Sequence, residues 1–127
     1  MKEEPVEDPI LAAVTRACLA LPEATRELMG QHARFSVRKR TFAYFLDNHH
    51  GDGVVGIVCK TALGENEEMV RRDPERFYRP AYLGAQGWIG LVLDRGEVDW
   101  NEVAELAAAS YRLIAPKSLA AIVAARS

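Results

Sequence analysis

With 127 residues, 49% of them hydrophobic and 27% charged, the chain has the size and composition of one domain that builds its core without metal or disulfide staples. Its 16 basic and 18 acidic residues give a net charge of −2, which excludes a nucleic-acid binder of the usual strongly basic kind. No apolar run reaches the roughly 18 residues of a membrane span, and the acidic start Met-Lys-Glu-Glu-Pro-Val-Glu-Asp lacks a signal core, so a cytoplasmic protein is expected.

The charge is uneven. Residues 1–30 hold 3 basic and 6 acidic side chains, residues 31–79 hold 9 and 7, and residues 80–127 hold 4 and 5. An anion-binding face is therefore expected from the middle third. Cys18 and Cys59 sit in apolar surroundings without CxxC spacing, which reads as two buried thiols.

Residues 1–7 read as a flexible arm ahead of a single domain spanning 1–127. Asp8 followed by Pro9 is a helix start, an N-cap acceptor and then proline at the first helical position. Ile10, Leu11, Val14, Cys18 and Leu21 share one helical face, and Pro22 stops the helix. Residues 22–30 form a connection. A hairpin follows, with Phe35 and Val37 in its first strand, Arg38-Lys39-Arg40 at the turn, and Phe42, Tyr44 and Leu46 in its second. Asn48 to Gly53 make a longer loop, and Val54 to Cys59 a central strand, apolar on both faces.

Thr61 to Arg72 read as a second helix, acidic early and basic late, as the helix dipole favours. Asp73-Pro74 breaks it, and residues 74–77 suggest one further helical turn. Arg79 to Leu93 then read as two short strands around the turn Gly84–Gly87, with Tyr82 and Leu83 closing the first limb and Trp88 opening the second. Asp99 and Glu102 form a capping box, with Val98 and Val103 as its hydrophobic staple. Val103, Leu106, Ala107, Ser110 and Ile114 line the buried face of that third helix. Pro116 restarts the chain as a short terminal helix with Leu119, Ile122 and Val123 inward. The resulting expectation is an α+β domain of order α-β(3)-α-β(2)-α, a five-stranded antiparallel sheet with helices packed on one face.

Several residues, in this order and spacing, carry a family resemblance. They are His32, Phe35, Val37 and Phe42-Ala43, then Arg79-Pro80, Tyr82-Leu83-Gly84 and Gly87-Trp88-Ile89-Gly90-Leu91, and finally Asp99-Trp100, Ser110-Tyr111-Arg112-Leu113 and Ala115-Pro116-Lys117. Over about residues 10–125 the chain resembles the MmcQ/YjbR-like family. That resemblance implies an α-β(3)-α-β(2)-α fold similar to type III secretion chaperones, and a DNA-binding label based on a double wing. Two positions depart from the family pattern. The first hairpin turn often carries glycines before a lysine, and here it is Arg38-Lys39-Arg40, which enlarges the basic wing. A proline is common after the His32 position, and here it is Ala33.

Arg34, Arg38, Lys39 and Arg40 form the one dense basic cluster, and Arg79 extends it if the second helix lies beside the hairpin. These five are the candidate nucleic-acid contacts, a wing against phosphates that gives weak, salt-sensitive binding. The alternative is a solvated hairpin tip whose charges discourage edge pairing. His32, Tyr82, Trp88, Tyr111 and Lys117 are the candidate pocket for a ligand or partner, against a plain core role for the aromatics. His49 and His50 adjoin in a glycine loop and read as surface residues, not metal ligands. Ser36, Ser110 and Cys59 have no recognisable base nearby, no Walker-type loop is present, and the glycines of 84–90 do not open a helix. The sequence thus points to a non-enzymatic binding module without cofactor or metal. Its partner is DNA through basic wings, or alternatively a protein or peptide through a chaperone-like surface.

Overall fold

The computed structural model describes residues 7–126. Local chemistry sets the helix ends. Asp8 Oδ1 accepts from the Ile10 amide at 2.7 Å and starts α1 (Pro9–Leu19). Glu7, the one described residue of the expected arm, accepts from Arg26 at 2.6 Å; the rest of that arm lies outside the described residues. Asp99 Oδ1 accepts from the Asn101 and Glu102 amides and starts α3 (Trp100–Ile114). Only half of the expected capping box forms, because Glu102 turns to Arg76 (2.5 Å) instead of reaching back. The second helix, α2 (Glu65–Arg72), starts four residues later than its pattern suggests. Gly64 takes φ +83 as its cap, and Thr61 is drawn instead to the Gly87 carbonyl, its Oγ1 donating at 2.7 Å.

The strands are β1 (Thr25–Met29), β2 (His32–Val37), β3 (Arg40–Asp47), β4 (Val55–Lys60), β5 (Phe77–Tyr78) and β6 (Trp88–Val92), and a final helix, α4 (Lys117–Ala125), closes the chain. They form one antiparallel sheet of order β1-β2-β3-β4-β6-β5. The sheet has six strands, not five. The added strand is β1, in the stretch read as a connection, and it pairs with β2 from Thr25↔Ser36 to Met29↔His32 around Gly30 at φ +62. It lacks apolar alternation because it is an edge strand, exposed or half-buried throughout. The first limb of the later pair is also displaced. It is Phe77–Tyr78, while Arg79-Pro80 leads out of the sheet and Tyr82 takes φ +65. Residues 74–76 form the one further turn expected after Asp73, closed by the Arg76 and Phe77 amides donating to the Asp73 carbonyl, and Phe77 then enters β5.

The main apolar cluster joins Val14 and Cys18 of α1, Phe35, Phe45, Ile57 and Ile89 of the sheet, Val103, Ala107 and Tyr111 of α3, and Leu119 and Val123 of α4. Met69 and Val70 of α2 pack against it. The helices are not a simple layer on the sheet: α4 rests on α3, and Ile122 points outward at 47% exposure instead of inward. Leu46, Val58 and Trp88, with Tyr44, Tyr78 and Leu83, form a separate small cluster. Alternation along β3 and β4 places it on the opposite face of the sheet.

Two contacts pin these layers. Ser110 Oγ donates to the Phe42 carbonyl at 2.6 Å and accepts from the Lys60 amide at 2.9 Å. It does so where the β3–β4 ladder stops, after the pair Ala43↔Cys59, and beside a bulge that shifts the β2–β3 register after Phe35. On the other face the Tyr78 ring lies across Gly56 and Gly90. A Cβ on Gly56 would stand 2.8 Å from the Tyr78 hydroxyl, and one on Gly90 would enter the ring. Gly90→Ala is expected to cost about 1–3 kcal/mol by overpacking. In a Tyr78→Ala background the same change should cost far less. Urea unfolding of the four proteins checks both.

Candidate functional site

The hairpin β2–β3 turns in two residues, with the pair Val37↔Arg40 closing the loop. Both loop residues are left-handed, Arg38 at φ +48 and Lys39 at φ +67. A right-twisted hairpin asks for this backbone and normally fills it with asparagine and glycine. The turn projects its charges toward the α1–β1 connection. There Glu23, itself at φ +57, receives Arg38 through both guanidinium edges, Nε at 2.6 Å and Nη2 at 2.9 Å. Arg38 holds the Glu23 carboxyl below its ordinary 4.5, first through those hydrogen bonds. Four residues further along each strand, Arg34 pairs with Glu27 directly across the β1–β2 ladder.

Arg34, Arg38 and Lys39 do come together. With Arg26, Glu23 and Glu27, and with the hydroxyls of Thr25, Ser36 and Thr41, they line an open cleft of about 550 Å³. Two of the three are already held by glutamate. Arg40 stands at the start of β3 outside that lining. Arg79 lies at the other edge of the sheet, beyond β5, 3.6 Å from Glu67 and with its stem against Gly84. The five basic residues therefore do not form one continuous face.

The five residues of the expected pocket are dispersed. Trp88 and Tyr111 lie on opposite faces of the sheet. Trp88 packs on Tyr44 at 5.7 Å between ring centres. Tyr111 is fully buried, edge-on to Phe42, and donates to the Pro22 carbonyl at 2.7 Å; burial raises its hydroxyl pKa. Tyr82 is 79% exposed. It stands edge-on to His50, at the end of a row formed by all three histidines, His32, His49 and His50. His32 is fixed by accepting from the Asp47 amide at Nδ1, 3.1 Å. Among the described residues no group of His, Cys, Asp or Glu is placed to hold a metal ion. Of the nucleophile candidates, Ser36 lies in the hairpin cleft with its Oγ 3.5 Å from Thr41 Oγ1, and the others are committed to structure. Ser110 is bonded on both sides, burial pushes the Cys18 thiol up to about 12, and burial raises the Cys59 thiol well above its ordinary value.

Lys117 leads to the feature that the sequence reading misses. It opens α4, and with Lys60 and Arg112 it rims a groove of about 480 Å³ between α3, α4 and the β4–α2 junction. Leu106, Ala109 and Leu113 form one wall, and Ala120, Ala121 and Ala124 the other. Glu65 is the single acidic residue in the lining. The available signal was the density of alanine on the last two helices, combined with Leu113 on the outward side of α3.

Two expectations test this local geometry. Lys39→Gly should raise stability by about 1 kcal/mol by relieving its left-handed backbone, read from the thermal midpoint. His49 should titrate below 6.5, because burial first, then His50 and His32, disfavour its charged form while Asp52 opposes them. Its folded pKa lies below the unfolded one, so it contributes stability above pH 6.5 that is lost as pH falls through the folded midpoint. A proton NMR titration of the imidazole resonances reads that midpoint.

Comparison with known proteins places this geometry. No curated protein matches the chain. The crystal structure of Deinococcus radiodurans protein DR2400, described as a family-model domain DUF419, is similar with a TM-score of 0.68 at 19% identity, over 94% of this chain and 92% of that one. At that identity the likeness establishes the fold. A family model described as YjbR matches residues 19–113, from the end of α1 to the late turns of α3, and the chain belongs to the YjbR family.

Proposed function

We propose that the chain is a non-catalytic module that works by binding a protein partner, and that its basic hairpin is not a phosphate-reading wing in the resting state. The observation that carries this reading is the contrast between two surfaces. On the hairpin side, Arg34 and Arg38 lie against Glu27 and Glu23, and Arg79 lies near Glu67. Exposed pairs of this kind add little stability. They do reduce the hairpin's unmatched positive charge, from which phosphate binding and its counterion release arise, to Lys39 and Arg40. On the helical side, an apolar groove carries cations with one acidic residue beside them. Exposed apolar patches rimmed by polar groups are characteristic of interaction sites.

The burial of the thiols and the structural role of Ser110 support a binding role over a catalytic one. The two thiols are buried, and the Ser110 hydroxyl joins α3 to the sheet. Among the described residues no helix is long and apolar enough to cross a membrane.

Anisotropy of labelled duplex DNA at low and high salt tests the reading. Wild type is expected to show no saturable binding. A Glu23→Gln/Glu27→Gln variant, with its arginines released, should acquire weak binding that salt abolishes. Micromolar, salt-sensitive binding by the wild type, lost in an Arg38→Ala/Lys39→Ala/Arg40→Ala variant, would overturn the proposal in favour of a DNA wing.

A further inference from the structure

Resting on the protein-partner reading, we infer that the groove between α3 and α4 receives an acidic amphipathic helix, about two turns of which sit between Leu106 and Leu113. Both long sides are helices, and no strand edge enters its lining. A partner segment there cannot extend a β-ladder. It must satisfy its own backbone, which a helix does. Leu106 to Leu113 spans seven residue steps of α3, a rise of about 10 Å, or two helical turns. Ala109, Ala120, Ala121 and Ala124 keep the walls low, so a helix can approach closely, while Leu113, 52% exposed, offers an anchor at one end.

Charge then selects the partner. Seven arginines elsewhere, Arg26, Arg34, Arg38, Arg71, Arg72, Arg76 and Arg79, have carboxylate partners within this chain. Arg112, near the end of α3, and Lys117, at the start of α4, have none among the described residues, and both line the groove. Lys60 joins them along the rim, with one of its amine hydrogens given to the Gln86 carbonyl at 2.8 Å. Against these three cations the lining supplies only Glu65. In a chain whose net charge is −2, this local excess lies along the apolar groove. The complementary surface is a helix with an apolar stripe and carboxylates flanking it, densest over Arg112 and Lys117. The chain's own acidic helix is a poor candidate for that role in a second copy. In α2, Met69 and Val70 are packed on the core, and Glu68 is held by Arg71 and Arg72.

The test is a titration of the isotope-labelled full chain, followed by amide chemical shifts. The probes are three synthetic helical peptides that share one leucine stripe and carry glutamate, glutamine or lysine at the flanking positions. The glutamate peptide is expected to shift the Leu106, Ala109, Leu113 and Ala121 amides. It should bind at least about tenfold more tightly than the glutamine peptide at low salt. Arg112→Glu/Lys117→Glu should remove that preference. Ala121→Glu, at an exposed position where the fold tolerates change, should abolish binding while the spectrum stays dispersed. Equal affinity for the glutamate and glutamine peptides would overturn the acidic class and leave the protein-partner reading standing. Absence of groove shifts with every peptide would overturn this inference, while the DNA titration separately decides the broader reading. Concentration-dependent groove shifts without peptide, lost in Ala121→Glu, would overturn it in favour of a second copy of this chain.

Discussion

A single hydroxyl, Ser110 Oγ, ties the layers together. The bulge near Phe42 carries β3 past the point where β4 can follow it, which would leave a buried carbonyl and an amide without partners. Orphaned groups of this kind cost about 1–3 kcal/mol each. Ser110 satisfies both and so fixes the position of α3 against the sheet. The next residue, Tyr111, then packs on Phe42 and bonds the Pro22 carbonyl. That contact holds the α1–β1 connection beneath the hairpin, where Glu23 meets Arg38. The neutralised wing is thus a consequence of how the third helix is anchored, transmitted through residues in direct contact.

The opposite face follows a different rule. Among the described residues, none of α1 to α4 joins the Trp88 cluster; Tyr44, Tyr78 and Leu83 pack on it instead. Glycine at 56 and 90 lets an aromatic ring lie almost on the backbone, so a two-residue strand, β5, suffices to bind its side chain to the sheet. This arrangement separates the aromatics that looked like one shelf in sequence. Trp88 and Tyr111 belong to two clusters with the sheet between them.

What was legible in the sequence was what is local. Asp8-Pro9 and Asp99 each act within a few residues and each formed as its pattern implies, whereas in β3 the bulge sends Phe42 to the side of Ala43 and Phe45, away from Tyr44 and Leu46. β1 was not legible, because an edge strand bearing Arg26, Glu27 and Leu28 has no buried face to alternate against. Nor was the choice made by Glu102, where a cation 26 residues away, Arg76, outcompeted the helix's own amide. The basic cluster showed the same blindness. Its members are adjacent in sequence, but the glutamates that hold two of them come from the preceding turn and strand, and Arg79 lies across the sheet. The groove required the packing of α4 on α3, which no single-helix pattern encodes.

The distribution of charge, more than its sum, organises the surface. A net charge of −2 argues against a basic protein, yet it conceals a hairpin in which Arg34 and Arg38 are matched and a groove whose cations are not. Screening limits exposed charges to about 8 Å in physiological salt. Neighbours therefore decide what each cation can do, and the overall balance does not. At the hairpin the neighbour is a glutamate in the correct plane for a bidentate bond, and the arginine is occupied. At the groove the neighbours are alanine and leucine, which lower the local dielectric and leave the cation available. The same residue types therefore carry opposite meanings on the two surfaces, and the difference is set by which elements the fold brings alongside them.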